Sequence, residues 1–88
     1  MSFVVRITPS AQKQIAKLDP TAAKRIRSFL ENTLQGIANP RALGKPLVNQ
    51  DFWRYRVGDY RLLASIQDGE LVILVVAVAH RRELYRDR

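Results

Sequence analysis

The chain has 88 residues, 47% of them hydrophobic, and no cysteine; it can bury one core but not two, and it excludes disulfides, thiolate nucleophiles and cysteine-based zinc sites. Fifteen Lys and Arg against eight Asp and Glu give a formal charge of +7, which favours a polyanionic partner: nucleic acid, an acidic protein or a membrane surface. One histidine and scattered acids show no metal-ligand spacing, so no metal or other cofactor is expected.

In chain order, Phe3 to Ile7 is a short β-rich run, an edge or second strand. Thr8-Pro9 is a cap followed by proline at the first helical position, opening a short helix to about Leu18 with Ala11, Ile15 and Leu18 on one face. Asp19-Pro20 repeats the signal, and the spacing of Ala22, Ala23, Ile26, Phe29, Leu30, Thr33, Leu34 and Ile37 predicts a second helix to about Gly36. The two helices read as a hairpin with one apolar face. Asn39-Pro40 through Lys45-Pro46 reads as the one long irregular segment.

Beyond it the period changes to two. Phe52 to Val57 is a strand, Gly58-Asp59 a tight turn, and Tyr60 to Gln67 the next strand. Asp68-Gly69 reads as a second hairpin turn leading into a strand from Glu70 to Ala79. That last strand is apolar at nearly every position, so it is expected to be central and buried on both faces. His80 to Arg88 reads as a polar strand exit and short helical tail. The expected fold is α+β: one domain, residues 1–88, with an N-terminal strand and helical hairpin packed on an antiparallel-rich, four-stranded sheet. The apolar run Leu71 to Ala79 is far shorter than a membrane span, and the N-terminal residues lack the charged head and apolar stretch of a signal peptide, so a cytoplasmic location is expected and no membrane partner.

The charge is unevenly typed. Residues 51–88 hold seven basic residues, and all seven are arginine, whose planar fork can grip a phosphate with two hydrogen bonds. A two-residue turn at Gly58-Asp59 pairs Val57 with Tyr60, Arg56 with Arg61 and Arg54 with Leu63, which puts Arg54, Arg56 and Arg61 on one face and Trp53, Tyr55 and Leu62 on the other. Like charges directly opposite each other destabilise a strand pair, and such a violation is expected at a functional site. Carried through a two-residue Asp68-Gly69 turn, the same register sets Val76 beside Arg61 and places Val78 and His80 on the arginine face, with Arg81 pointing away unless the chain turns. The candidate anion cradle is therefore Arg54, Arg56 and Arg61, rimmed by His80, Arg81, Arg82 and Tyr85; Tyr85 follows Arg81 by four residues and would share its side of a helical tail. The plain alternatives are a solvated basic face, a surface histidine and a tyrosine that packs the tail. Trp53 and Tyr55 are read as core rather than as a base-stacking platform.

The order strand, helical hairpin, three-stranded meander carries three telling segments: Leu43-Gly44-Lys45-Pro46-Leu47, Trp53 to Arg61, and Ala79 to Arg86. Together they resemble the RelE/ParE toxin superfamily over essentially the whole chain, and its RelE-like messenger-RNA interferases in particular. The resemblance implies a type II toxin, a metal-independent endoribonuclease that cuts messenger RNA in the ribosomal A site, with the ribosome, the message and a RelB-like antitoxin as partners. It assigns Arg61 to charge on the scissile phosphate, Arg81 to the leaving group and Tyr85 to orienting or activating the RNA. His80 joins these as a catalytic candidate, and Lys45, Arg54, Arg56 and Arg82 are candidates for holding RNA phosphate. Arg54 and Arg56 stand where RelE toxins carry two lysines. An arginine, with a pKa above about 12, is a poor general base, so His80, Tyr85 or transition-state electrostatics must serve in their place. Two other readings compete: a ParE-like inhibitor of DNA gyrase, and a non-catalytic basic module that binds RNA or an acidic protein.

Overall fold

The structure is a computed structural model, and it describes residues 2–48 and 50–80. Strand β1 (Val4–Ile7) leads into helix α1 (Pro9–Ala16) and helix α2 (Pro20–Phe29). Both helices start as the sequence predicts. Thr8 and Asp19 are in extended conformation and their side-chain oxygens accept from the N–H groups of Ala11 (3.1 Å) and Ala22 (3.2 Å), with proline at the first helical position. The second helix does not run on as a regular α-helix. Residues Leu30–Leu34 form a π-helical turn closed by Gln35 N–H to the Leu30 carbonyl (2.9 Å), and Gly36, at φ +83°, ends it.

The remaining strands are β2 (Lys45–Pro46), β3 (Trp53–Val57), β4 (Tyr60–Gln67) and β5 (Val72–His80). They form one sheet of five strands in the order β1-β5-β4-β3-β2, where four were expected. The added strand is β2, two residues long, out of the segment read as irregular. The β1–β5 pair is parallel and the others antiparallel. The helices cover one face, where Tyr55, Leu62, Ala64, Ile73 and Val75 meet Ala11, Ile15, Ile26, Leu30 and Leu34. Strand β5 lies inside the sheet as expected, but it is not buried on both sides. Ile73, Val75 and Val78 are buried toward the helices, while Val72, Leu74, Ala77 and Ala79 remain half-buried.

The β4–β5 register departs from expectation. The connection has four residues: a 3-10 turn at Asp68–Glu70, then Leu71 in the left-handed region (φ 56°), so Gln67 pairs with Val72. A bulge then skips Val76: Ala64 pairs with Val75 and Leu63 with Ala77. Arg61 consequently faces Ala79, and Tyr60 faces His80. The longer turn shifts pairing by two and preserves the facing of each side chain, whereas the single-residue bulge reverses it. Val76 is therefore not beside Arg61, Val78 belongs to the core at 3% exposure, and His80 lies on the helix side of the sheet. Where β5 outruns β1, helix α1 takes over its outer edge: Gln14 Oε1 accepts from Val78 N–H (2.7 Å) and Thr8 Oγ1 donates to the Val76 carbonyl (3.4 Å).

Candidate nucleic-acid interface

The β3–β4 hairpin forms with the predicted register. Gly58, at φ +59°, takes the left-handed turn position, and the pairs Val57–Tyr60, Arg56–Arg61 and Arg54–Leu63 follow. Trp53 and Tyr55 point to the helix side as expected, with Tyr55 wholly buried. Arg54, Arg56 and Arg61 share the opposite face. Arg56 is exposed, whereas Arg61 is only 6% exposed and its Nη1 donates to the Tyr60 carbonyl (3.2 Å), which orients its guanidinium.

Strand pairing brings two further cations to this face. Lys45 pairs with Arg54 across β2–β3, so it stands beside the arginines. Arg6 pairs with Leu74, which pairs with Ser65, and is exposed on the same face at the far edge. Sequence reasoning overlooked Arg6. Its signal was the alternation of Arg6 with apolar Val5 and Ile7, which a β1–β5 register turns into a shared face. Arg25 was also passed over: its Nη1 is 3.0 Å from where a Cβ on Gly58 would sit, so it adds a cation at the hairpin tip.

The paired positions of this face among the described residues are Val4, Arg6, Lys45, Arg54, Arg56, Arg61, Leu63, Ser65, Gln67, Val72, Leu74, Ala77 and Ala79, and none is acidic. The Arg41–Asp68 ion pair lies away from them, at the β4–β5 connection. A surface of this kind, cationic with an aliphatic floor, has the chemistry to attract anionic groups such as phosphates. His80 is not part of it; its ring meets Tyr60 edge-on at 5.4 Å. Arg81, Arg82 and Tyr85 lie outside the described residues.

No helix among the described residues is long and apolar enough to cross a membrane. Residues 5–85 match the family described as the ParE toxin of type II toxin–antitoxin systems. The chain is 32% identical to the RelG toxin of Mycobacterium tuberculosis (strain ATCC 25618 / H37Rv), over 98% of this chain and 99% of that protein. Its fold superposes on a RelBE toxin–antitoxin complex from Mycobacterium tuberculosis with a TM-score of 0.82 at 30% identity, covering 92% of this chain and 100% of that one. It superposes on the isolated RelE toxin of E. coli with a TM-score of 0.71 at 23% identity, covering 98% and 94% of the two chains, a likeness of fold. The α+β architecture and these matches agree: the chain belongs to the RelE/ParE family of type II toxins.

Proposed function

We propose that this toxin is a ribosome-dependent endoribonuclease that cleaves messenger RNA in the ribosomal A site and so inhibits translation in the cytoplasm. The observation that carries the reading is the Arg56–Arg61 cross-strand pair on a face with no acid among its paired described positions. Two guanidiniums held side by side are a local cost to the sheet that an RNA phosphodiester would offset.

RNA supplies the nucleophile, its own 2′-OH, so no protein nucleophile or metal is needed. The O2′–P bond forms, the P–O5′ bond breaks, and the products are a 2′,3′-cyclic phosphate and a 5′-OH. The 2′-OH gives up one proton and the leaving oxygen takes up one. Arg61, oriented by its bond to the Tyr60 carbonyl, stabilises the charge developing on the phosphorane. Lys45, Arg54, Arg56 and Arg82 hold the backbone in line for attack. Arg81 serves the leaving oxygen and Tyr85 orients the nucleotide, as the family resemblance assigns them. Because the register turns His80 toward Tyr60, most of the rate comes from alignment and electrostatics rather than from a histidine base on the arginine face. A RelB-like antitoxin covers or distorts this face, a reading supported by solved relatives that are toxin–antitoxin complexes.

The second reading, inhibition of DNA gyrase, draws on the ParE description of the matched family. Primer extension on cellular messages after brief induction separates the two. Codon-phased cuts that vanish in the Arg61→Ala, Arg81→Ala double variant are the expected result. DNA damage with intact messages would overturn the nuclease reading, as would growth inhibition that survives the double change.

A further inference from the structure

The segment between the π-helical turn and β3 delivers Lys45 to the arginine face through a short stretch of β2–β3 ladder. Strand β2 is two residues long, and its pairing with β3 ends one residue further on, where the Leu47 N–H donates to the Phe52 carbonyl (3.0 Å). Three contacts made elsewhere add to that hold on the segment. The Tyr55 hydroxyl, on a wholly buried ring, donates to the Pro40 carbonyl at 2.7 Å. Gly44 lies against the same ring: a Cβ there would sit 3.1 Å from Tyr55 Cε1 and 3.3 Å from the Arg54 carbonyl, closer than a side chain tolerates without displacement. Arg41 grips Asp68 through two bonds (2.8 and 2.7 Å), with its guanidinium 5.6 Å from the Trp53 ring centroid.

These contacts sit on the helix side of β3 and its neighbouring turn, and the residue they deliver faces the other side. Tyr55 alternates with Arg54 and Arg56 along one strand, so the ring that anchors the segment and the cations it serves are neighbours on a single backbone.

We propose that Tyr55, Gly44 and Arg41 form a three-point clamp that positions Lys45 opposite Arg54, adding a phosphate contact to the RNA-binding face at its β2 edge. The inference rests on the phosphodiester-binding reading above. Tyr55 and Arg41 are positioning residues: they act through the backbone of 40–46 and touch no RNA. Lysine is a flexible point charge, so its grip depends on where its Cα is held.

A double-mutant cycle tests the clamp, with binding of a short 2′-O-methyl RNA oligonucleotide, which cannot be cleaved, as the readout. In the otherwise unchanged protein, Lys45→Ala is expected to weaken binding about tenfold, the size of a lost hydrogen bond to a charged group. In Tyr55→Phe or Gly44→Ala backgrounds the same change is expected to cost less than about twofold, because Lys45 is already displaced. Arg61→Ala is expected to cost the same in all three backgrounds, a result that general loosening of the fold would not produce. Thermal unfolding of each variant fixes a temperature at which all are folded, and Arg41→Gln, at a half-exposed site, repeats the cycle without touching the core. A full Lys45→Ala cost in every clamp background overturns the clamp alone. Oligonucleotide binding that ignores Arg61→Ala overturns the phosphate-binding reading and the clamp together.

Discussion

The two faces of the β3–β4–β5 sheet are made from the same strands and do opposite work. Toward the helices, Tyr55, Leu62, Ala64, Ile73 and Val75 are at 0% exposure and packed against α1, α2 and the π-helical turn. Away from them, Leu63, Leu74, Ala77 and Ala79 are half-buried and carry Lys45, Arg54, Arg56, Arg61 and Arg6 among or beside them. One face excludes water and supplies the folding free energy; the other concentrates positive charge with no acid among its paired described positions. Because strand side chains alternate, the two roles fall on neighbouring residues. Stability and anion binding should therefore separate between positions 61 and 62.

That separation gives the largest expected effect. Leu62→Ala removes a fully buried side chain from the core and should cost about 2–5 kcal/mol in denaturant unfolding. RNA affinity of the molecules that remain folded should hardly change. Arg61→Ala should do the reverse, lowering cleavage by about 10²- to 10³-fold, as expected for loss of a group that meets transition-state charge. Comparable destabilisation by both substitutions would mean that Arg61, at 6% exposure, serves as core rather than as site.

A smaller effect probes the link between the faces. Burial pushes the Tyr55 hydroxyl up to about 12 from its ordinary value of 10.0, with Arg41 pulling slightly the other way. The folded state thus favours the neutral phenol, the form that donates to Pro40. The raised folded value contributes stability that is fully present below about pH 10, the unfolded value, and is lost as pH rises toward about 12. Melting temperature should fall across that window, and Tyr55→Phe should remove the part of the fall due to this group. An identical alkaline profile in the two proteins would deny Tyr55 this coupling. At the acid end, the Arg41 guanidinium holds the Asp68 carboxyl below the usual carboxylate range, so that arm of the clamp outlasts ordinary acidification.

How far the sequence could be read depended on whether each signal was local. The Gly58-Asp59 turn has two residues, and its length alone dictates that Arg56 meets Arg61; hence the centre of the site was legible. The Asp68-Gly69 turn looked equally strong, but Glu70 extends a 3-10 turn and Leu71 accepts a left-handed conformation normally left to glycine. The bulge beyond it has no signature, because Leu63, Ala64, Val75, Val76 and Ala77 are all apolar and any of them could be the unpaired one. Those two features together misplaced Val76, Val78 and His80. The helix starts were legible because Thr8-Pro9 and Asp19-Pro20 act on the nearest N–H groups. Strand β2 was not, since Lys45 and Pro46 owe their extended pairing to β3 and not to their own propensity. Arg6 was missed for the same reason: its partner lies across the parallel β1–β5 pair, which no turn connects.

The smallest expected effect asks how wide the cationic face is. Arg6 is exposed on β1, at the edge opposite Lys45, while Lys24 is exposed on α2, on the side of the sheet that the helices cover. Replacing either with alanine removes one positive charge, so both change the net charge and its long-range attraction equally. Only a cation that neutralises a phosphate releases counterions, and for single strands each such contact adds about 0.7 to the slope of log affinity against log salt. Arg6→Ala should therefore flatten the salt dependence of oligonucleotide binding by about that amount, and Lys24→Ala should leave the slope alone. Equal slopes for Arg6→Ala and the unchanged protein would confine the RNA track to β2, β3 and β4. A flattened slope for Lys24→Ala would move part of that track onto the helices and break the division between the two faces.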